Sequence, residues 1–456
     1  MIIELQEVFG RSLSFAEQQE VANAFILMDD KTSGKKLPRV FQMRATLEVL
    51  GGKNLVVRAG TGSGKTLAMA LPMLLRPQWI FVTIAPLMAL QNQHVETFTA
   101  LGVSTVAINL ETPPLDRRQL ITDIRKRKYQ HIIVSPEQCA CNGSEQPMFT
   151  HLLEDPSFAS SISVINFDEA HFIVTSGEPD KENKIFRVEY SKCFEIRLRL
   201  PLKTPCTVFS ATMPPKIQDK ILDSLKLPTD NSVTSFISLL TNRPNLSFAV
   251  KKLARPLTDM SNLEFLVPRS YHPPMALFKK TLIFVSTTTT AREMEDYLGP
   301  RLPGIVKRIY SLMSADYKKR TIADFLDNNG TTRVLICTSL LSNGFDPSDI
   351  ELVILYGAPT NMLDFEQMAG RGGRDGHTKC LVILLAESWL YEEKKDVKNS
   401  NGTFRTKAIR TDEEMFDYVQ SEGCRRAHLA DLNRDSSIEA LLYSGSICCD
   451  SGLIIH

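Results

Sequence analysis

The sequence predicts an α/β protein with two tandem domains, each built on a parallel sheet, followed by a small, mainly helical carboxyl-terminal appendage. Two observations predict it. From Asn54 onward, short β-branched runs alternate with helix-patterned stretches at a spacing of about 25 to 30 residues, as in strand-helix-strand units with parallel pairing. The first of these runs passes through a glycine-rich turn, Ala59 to Thr66, directly into an apolar helix. At roughly 150 residues per domain, 456 residues allow about three domains, enough to bury large cores without disulfide or metal staples.

In chain order, residues 1–36 read as an amino-terminal helical extension and 37–240 as the first domain. Its strands are expected at Asn54–Val57, Trp79–Ile84, Ser104–Ile108, His131–Val134, Ser163–Phe167 and Thr207–Ser210. Residues 241–280 read as a linker and the start of the second domain, because Pro244, Pro256, Pro268, Pro273 and Pro274 fix φ and remove donors. The second domain, 281–390, has strands expected at Thr281–Val285, Ile305–Tyr310, Thr332–Cys337, Leu352–Tyr356 and Lys379–Leu385. Residues 391–456 turn polar, with helical patterns from Asp412 to Leu442, and form the appendage.

Composition narrows the function. Hydrophobic residues at 43% and charged residues at 23% argue against disorder, and 53 basic against 52 acidic residues exclude a histone-like polycation. Any nucleic-acid surface is therefore local. The longest apolar stretch, Trp79 to Leu90, is too short to cross a bilayer, so no membrane partner is expected. Glu4 and Glu7 stand where a signal peptide carries basic residues, so secretion is not expected either. Nine cysteines, most of them single residues in or near apolar runs, suit a reducing compartment.

Three motifs carry chemistry. In AGTGSGKT, the glycines let backbone amides curl around phosphate oxygens, Lys65 reaches the β and γ phosphates, and Thr66 offers a hydroxyl to Mg²⁺. Gly60, Thr61, Gly62, Ser63, Gly64, Lys65 and Thr66 are thus the expected cradle for ATP or GTP. At the carboxyl end of an apolar strand, Asp168 can hold Mg²⁺ and Glu169 can orient and deprotonate the attacking water. In QMAGRGGRDG, Gln367, Arg371 and Arg374 lie in the second domain, so an arginine that meets the nucleotide has to cross from there. Read alone, that last segment is more readily a solvated turn.

Together these motifs resemble a superfamily 2 helicase and, within it, the RecQ group. The resemblance rests on Arg39 and Gln42 ahead of the phosphate loop, APLMALQNQ (85–93), SPEQ (135–138), DEAH (168–171), SAT (210–212), RPNL (243–246), TLIFV (281–285), TSLLSNGFD (338–346) and the arginine segment. The RecQ subdivision rests on FRVEY (186–190), RPNL, the RGGRDG form and CRR (424–426). It covers about residues 37–385 and part of the tail.

The resemblance implies two RecA-like P-loop domains and ATP-driven 3′ to 5′ movement on single-stranded or forked DNA. RNA is the less favoured partner. It gives Gln42 the adenine edge and Arg39 the base, His171 and Thr212 the coupling of hydrolysis to motion, and Arg374 the arginine finger with Arg371 and Gln367 beside it. A nuclear location is implied in a eukaryote, a cytoplasmic one otherwise. The strips 86–93, 135–138 and 286–290 are the expected strand-tracking loops. The basic cluster Arg125 to Lys128 reads first as a solvated helix face.

Two departures from the group stand out. Residues 172–185 are polar where the group has a compact aromatic-rich loop, which puts coupling in question. In the tail, Cys424 and Cys449 match the group's four-thiolate zinc pattern, whereas Ser446 and Gly452 stand where the other two thiolates belong. Cys448 is a substitute ligand, but adjacent cysteines are expected to strain when both face one ion. A degraded or absent zinc site and weak opening of long duplexes are therefore expected.

Overall fold

The computed structural model describes residues 1–60, 62–109, 112, 114–139, 147–175, 189, 192–239, 242–268, 278–338, 347–392, 396–398, 404–406, 411–444 and 446–452. The chain divides into two compact units, Met1–Leu239 and Leu240–His456.

The first unit holds a seven-stranded sheet. Its strands are β1 (Asn54–Arg58), β2 (Ile80–Ile84), β3 (Thr105–Ile108), β4 (His131–Val134), β5 (Ile162–Phe167), β6 (Cys206–Ser210) and β7 (Thr234–Ser238), in the order β3-β4-β2-β5-β6-β1-β7. Every pairing is parallel. Strands β1, β2, β4 and β6 are buried along their whole length, which is why they read as unbroken apolar runs. Before the sheet come α1 (Ile2–Phe9), α2 (Phe15–Thr32) and α3 (Val40–Leu50). Helix α2 starts on a capping box, in which the Ser14 side chain accepts from Glu17 N–H and the Glu17 side chain accepts from Ser14 N–H. Leu5, Val21, Ala24 and Met28 pack these helices against Met43, Leu47 and Leu71. The amino-terminal extension thus shares the core of the first unit.

A polar row crosses four adjacent strands inside this core. His131 Nε2 lies 2.7 Å from Thr83 Oγ1, Asn166 Nδ2 donates to the same hydroxyl at 3.0 Å, and Thr207 Oγ1 donates to Asn166 Oδ1 at 2.6 Å. All four residues are buried. Burial, and then the nearby His94, hold His131 well below the usual imidazole pKa, so it is neutral.

The second unit has a six-stranded sheet made of β8 (Leu246–Lys252), β9 (Thr281–Val285), β10 (Val306–Ile309), β11 (Val334–Thr338), β12 (Leu352–Tyr356) and β13 (Cys380–Ala386), in the order β10-β11-β9-β12-β13-β8. It too is wholly parallel. A short antiparallel pair, β14 (Asp396–Lys398) with β15 (Phe404–Thr406), follows. The tail helix Glu413–Gln420 places Met415, Phe416, Tyr418 and Val419 in one core with Phe248, Phe365 and Leu384, and Leu429 and Leu432 of the helix Arg425–Leu432 pack against it. The appendage is therefore built onto the second sheet.

Two strands depart from the sequence reading. The Pro-punctuated segment read as linker contributes β8, and β7 had no counterpart among the expected runs. Both lie at sheet edges, where one flank faces no neighbouring strand and a nearby proline is tolerated. Their burial is accordingly interrupted, which removes the continuous apolar signature. Among the described residues, no helix is long and apolar enough to cross a membrane.

Candidate nucleotide site

Three neighbouring strands, β5, β6 and β1, deliver the chemistry of the first unit from their carboxyl ends, where open parallel sheets bind ligands. Strand β1 leads into the glycine-rich turn, and α4 (Lys65–Leu75) begins at its end. Gly62 (φ 80°) and Gly64 (φ 95°) are left-handed, a region that L side chains avoid. At Gly64 any Cβ would also lie 2.4 Å from Gln42 Nε2. Beside Gly60 and Gly62 the space is open, and the buried Ser63 hydroxyl has no hydrogen-bond partner among the described residues. Lys65 Nζ rests on the Ala59 carbonyl at 2.8 Å. An open cradle, a hydroxyl with no partner among the described residues and a lysine at a helix start together fit a phosphate chain. Thr61 lies outside the described residues.

Arg39 and Gln42 support this loop from behind. Arg39 Nη1 donates to Ser63 O at 2.9 Å, and Gln42 Nε2 donates to Gly64 O at 3.0 Å. Gln42 Oε1 accepts from Arg39 N at 2.7 Å, closing the start of α3. Both residues expected at the base therefore touch the phosphate loop itself.

Asp168 is 5% exposed, and both of its carboxylate oxygens are engaged. Oδ2 lies 2.7 Å from His94 Nε2, and Oδ1 accepts from Glu169 N at 3.0 Å. His94, on α5 (Met88–Ala100), is a site residue that the motifs did not flag. Glu169 has φ 46°, a strained position for a residue with a side chain, held by bonds from Asp168 N to Ile84 O and from Ala170 N to Phe209 O. Hydroxyl and carboxylate oxygens are hard donors of the kind Mg²⁺ takes, so Thr66 and Asp168 are the residues that would hold it.

His171 and Thr212, named for coupling, are joined through Ser210. His171 Nδ1 lies 2.8 Å from Ser210 Oγ, and Ser210 Oγ donates to Thr212 O at 2.7 Å. A serine has one hydrogen to give, so the imidazole donates from Nδ1. That nitrogen is also 3.3 Å from Glu169 Oε2. One buried hydroxyl thus ties the DEAH histidine to the SAT backbone, with the general-base candidate 3.3 Å from the same ring nitrogen.

In the second unit, Gln367 lies in the last turn of a helix (Met362–Ala369) and the loop Gly370–Arg374 follows. Arg371 is buried, and Arg374 is half-exposed with Nε donating to Gly370 O at 3.1 Å. Arg426 of the CRR segment donates to the Leu246 and Arg243 carbonyls, so CRR and RPNL interlock. Arg425 binds Asp450 at 2.9 Å, which fastens CRR to the Cys-Cys-Asp element.

The Sγ atoms of Cys424, Cys448 and Cys449 lie within 4.8 Å of one another. The Cys424 separations, 3.7 Å to Cys448 and 3.6 Å to Cys449, are close to the about 3.8 Å expected for thiolates at the corners of a zinc tetrahedron. The three sulfurs of Cys424 and the adjacent Cys448 and Cys449 thus lie on one side of the turn. The bridge that pairs Cys449 with Phe248 and the bond from Phe248 N to Cys448 O pin the turn between them. Among the described residues, no histidine, cysteine or carboxylate joins them as a fourth ligand.

Of the expected strand-tracking segments, 86–93 and 135–138 follow β2 and β4, and 286–290 follows β9. All three lie at carboxyl ends of strands. Arg125 to Lys128 are exposed, with Lys128 paired to Asp123 at 2.6 Å. The FRVEY element except Glu189, and residues 339–346, lie outside the described residues.

Residues 39–220 match the DEAD/DEAH box helicase family, and residues 275–376 match the helicase conserved C-terminal domain. The ATP-dependent helicase wrn-1 of Caenorhabditis elegans is 26% identical over 84% of this chain and 33% of its own length. The ATP-dependent DNA helicase RecQ of Synechocystis is 24% identical over 84% of this chain and 76% of its own. An Acanthamoeba polyphaga mimivirus protein that carries the name of an ATP-dependent RNA helicase is 25% identical over 88% of this chain and 68% of its own. The chain thus spans from a third to about three quarters of these relatives. Among solved structures, the DUF1998 helicase MrfA bound to DNA superposes with TM-score 0.60 at 14% identity, over 80% of this chain and 51% of that one. Saccharomyces cerevisiae Dbp5 bound to RNA and ADP BeF3 does so with TM-score 0.54 at 19% identity, over 80% of this chain and 87% of that one. These two likenesses establish the fold, a pair of RecA-like domains.

Proposed function

Because this chain belongs to the superfamily 2 helicases, by its DEAD/DEAH box and C-terminal helicase domains, we propose that it is a RecQ-type translocase that uses ATP to move 3′ to 5′ along single-stranded DNA. The observation that carries the RecQ reading is the interlock of CRR with RPNL. Two of the segments on which that subdivision rests are joined by the Arg426 bonds to Leu246 O and Arg243 O.

In this reading Lys65 leaves the Ala59 carbonyl for the β and γ phosphates, and the amides of 62–65 hold their oxygens. Mg²⁺ on Thr66 and Asp168 supplies charge neutralisation at the phosphates when bound. Glu169 takes the proton of the attacking water, its carboxylate oriented by His171 Nδ1. Arg374 stabilises the charge that develops on the transferred phosphoryl. Ser210 passes the change at Glu169 and His171 to Thr212 and the segment that follows β6.

A second reading, an RNA helicase, is favoured by the RNA-helicase names among the relatives. One measurement separates them: steady-state ATP hydrolysis with single-stranded DNA, duplex DNA or single-stranded RNA added. Greatest stimulation by single-stranded DNA is expected. Greater stimulation by RNA replaces the DNA reading, and no stimulation by any of the three removes the translocase reading.

A further inference from the structure

The RPNL segment has no role in the chemistry above, yet its side chains end on the loop that carries Arg374. Arg243 Nη2 donates to Gly372 O at 3.0 Å and also to Gly373 O. Asn245, 4% exposed, donates from Nδ2 to Gly373 O at 2.7 Å and to Thr378 O at 2.8 Å. Its own carbonyl accepts from Cys380 N at 2.9 Å, which fixes it to the first residue of β13.

The loop is shaped to receive these donors. Gly373 is left-handed at φ 44°, and a Cβ there would lie 2.3 Å from Thr378 O and 2.4 Å from Asn245 Nδ2. A Cβ on Gly372 would lie 2.4 Å from Cys380 Sγ. Both glycines are therefore demanded by how closely the neighbours approach. On the far side of Arg374, the Asp375 carboxylate accepts from His377 N, Thr378 N and Thr378 Oγ1. Arg374 is clamped in the chain on either side, and its own Nε rests on the Gly370 carbonyl at 3.1 Å. Burial, followed by the charge of the nearby Arg374, lowers the pKa of Arg243, in keeping with two guanidinium groups close together.

We infer that Arg243 and Asn245 are positioning residues for Arg374, holding the Gly372–Gly373 carbonyls so that its guanidinium is presented in one geometry. The inference rests on the reading of Arg374 as the arginine finger. Backbone held in this way sets where a charged group arrives at the reacting phosphate, and a misplacement of about 1 Å costs up to about 10²-fold in rate.

The test is ATP hydrolysis by the full chain with oligo(dT) at saturation, and oligo(U) in parallel. It compares wild type, Arg374→Ala, Asn245→Ala, Arg243→Lys and the double variant Asn245→Ala/Arg374→Ala. Asn245→Ala is expected to lower kcat by about 10- to 100-fold while KM for ATP stays within about threefold. Arg243→Lys keeps the charge and loses the two-carbonyl fork, so its kcat falls by a smaller factor at unchanged KM. The double variant is expected to turn over no more slowly than Arg374→Ala, because a misplaced finger costs nothing once the finger is gone. Additive losses in the double variant would overturn the inference. So would wild-type kcat in both Asn245→Ala and Arg243→Lys, or failure of both to fold, which would assign these contacts to stability. Full turnover in Arg374→Ala removes the finger reading and this inference together. Lost turnover in Arg374→Ala with full turnover in both Asn245→Ala and Arg243→Lys removes the inference alone.

Discussion

Replacing Ser210 with alanine isolates the link between the DEAH and SAT segments. The hydroxyl is fully buried and makes two bonds, one to Thr212 O at 2.7 Å and one with His171 Nδ1 at 2.8 Å. Ser210→Ala deprives a buried carbonyl and a buried ring N–H of that partner, at about 1 to 3 kcal/mol for each group left unsatisfied. His171 Nδ1 retains Glu169 Oε2 at 3.3 Å, which offsets part of its share, so a total of about 2 to 4 kcal/mol is expected. At roughly 2 to 4 °C per kcal/mol for a unit of this size, Tm falls by about 4 to 16 °C. Basal ATP hydrolysis is expected to survive, since Lys65, Asp168 and Glu169 are untouched, whereas stimulation by a nucleic-acid strand collapses toward the basal rate. The assay is hydrolysis with and without saturating single strand, alongside a thermal melt. An undiminished stimulation ratio with a Tm within about 1 °C of wild type would refute the coupling role of the hydroxyl.

Other expectations follow from the same geometry. Lys65→Ala is expected to abolish hydrolysis, and Glu169→Gln to trap ATP with strand binding intact; filter binding and single-turnover assays read both, and substantial turnover in either removes the site assignment. His131 is held neutral by burial, so its folded pKa is depressed; its contribution to stability is present above the unfolded value of about 6.5 and is lost as pH falls toward the folded value. The slope approaches about 1.4 kcal/mol per pH unit, one proton's worth, and urea unfolding of wild type against His131→Gln between about pH 7.5 and 5.5 should show the flatter dependence in the variant. Three thiolates joined by no fourth ligand among the described residues are expected to hold zinc weakly; metal analysis after dialysis should find well under one ion per chain, and stoichiometric retained zinc would contradict this.

How much of this was legible depended on whether the information was contiguous. The interior strands declare themselves because burial on both faces forces unbroken apolar runs, whereas β7 and β8, at the edges, carry no such signature. The phosphate loop and Asp168-Glu169 are short motifs whose spacing is itself the chemistry. His94 is not of that kind, since its partner Asp168 is 74 residues away and nothing local marks a helical histidine as a carboxylate's neighbour. Cys448 was legible as a candidate ligand but not as a converging one, because its direction is set by pairing with β8, some 200 positions earlier.

The polar row through the first sheet has a consequence for assembly. In parallel strands a slip of one position turns every side chain to the opposite face. Apolar runs buried on both faces tolerate such a slip almost without penalty, because Val, Ile and Phe serve either side. Thr83, Asn166 and Thr207 do not, for they stand in register with one another, and any offset strands an amide and two hydroxyls in a dry interior. The row is therefore an alignment key for strands that are otherwise interchangeable in character. It is also one that turns late. Its members are 48, 83 and 41 residues apart, so loops of those lengths must close before the hydrogen bonds can reward the arrangement.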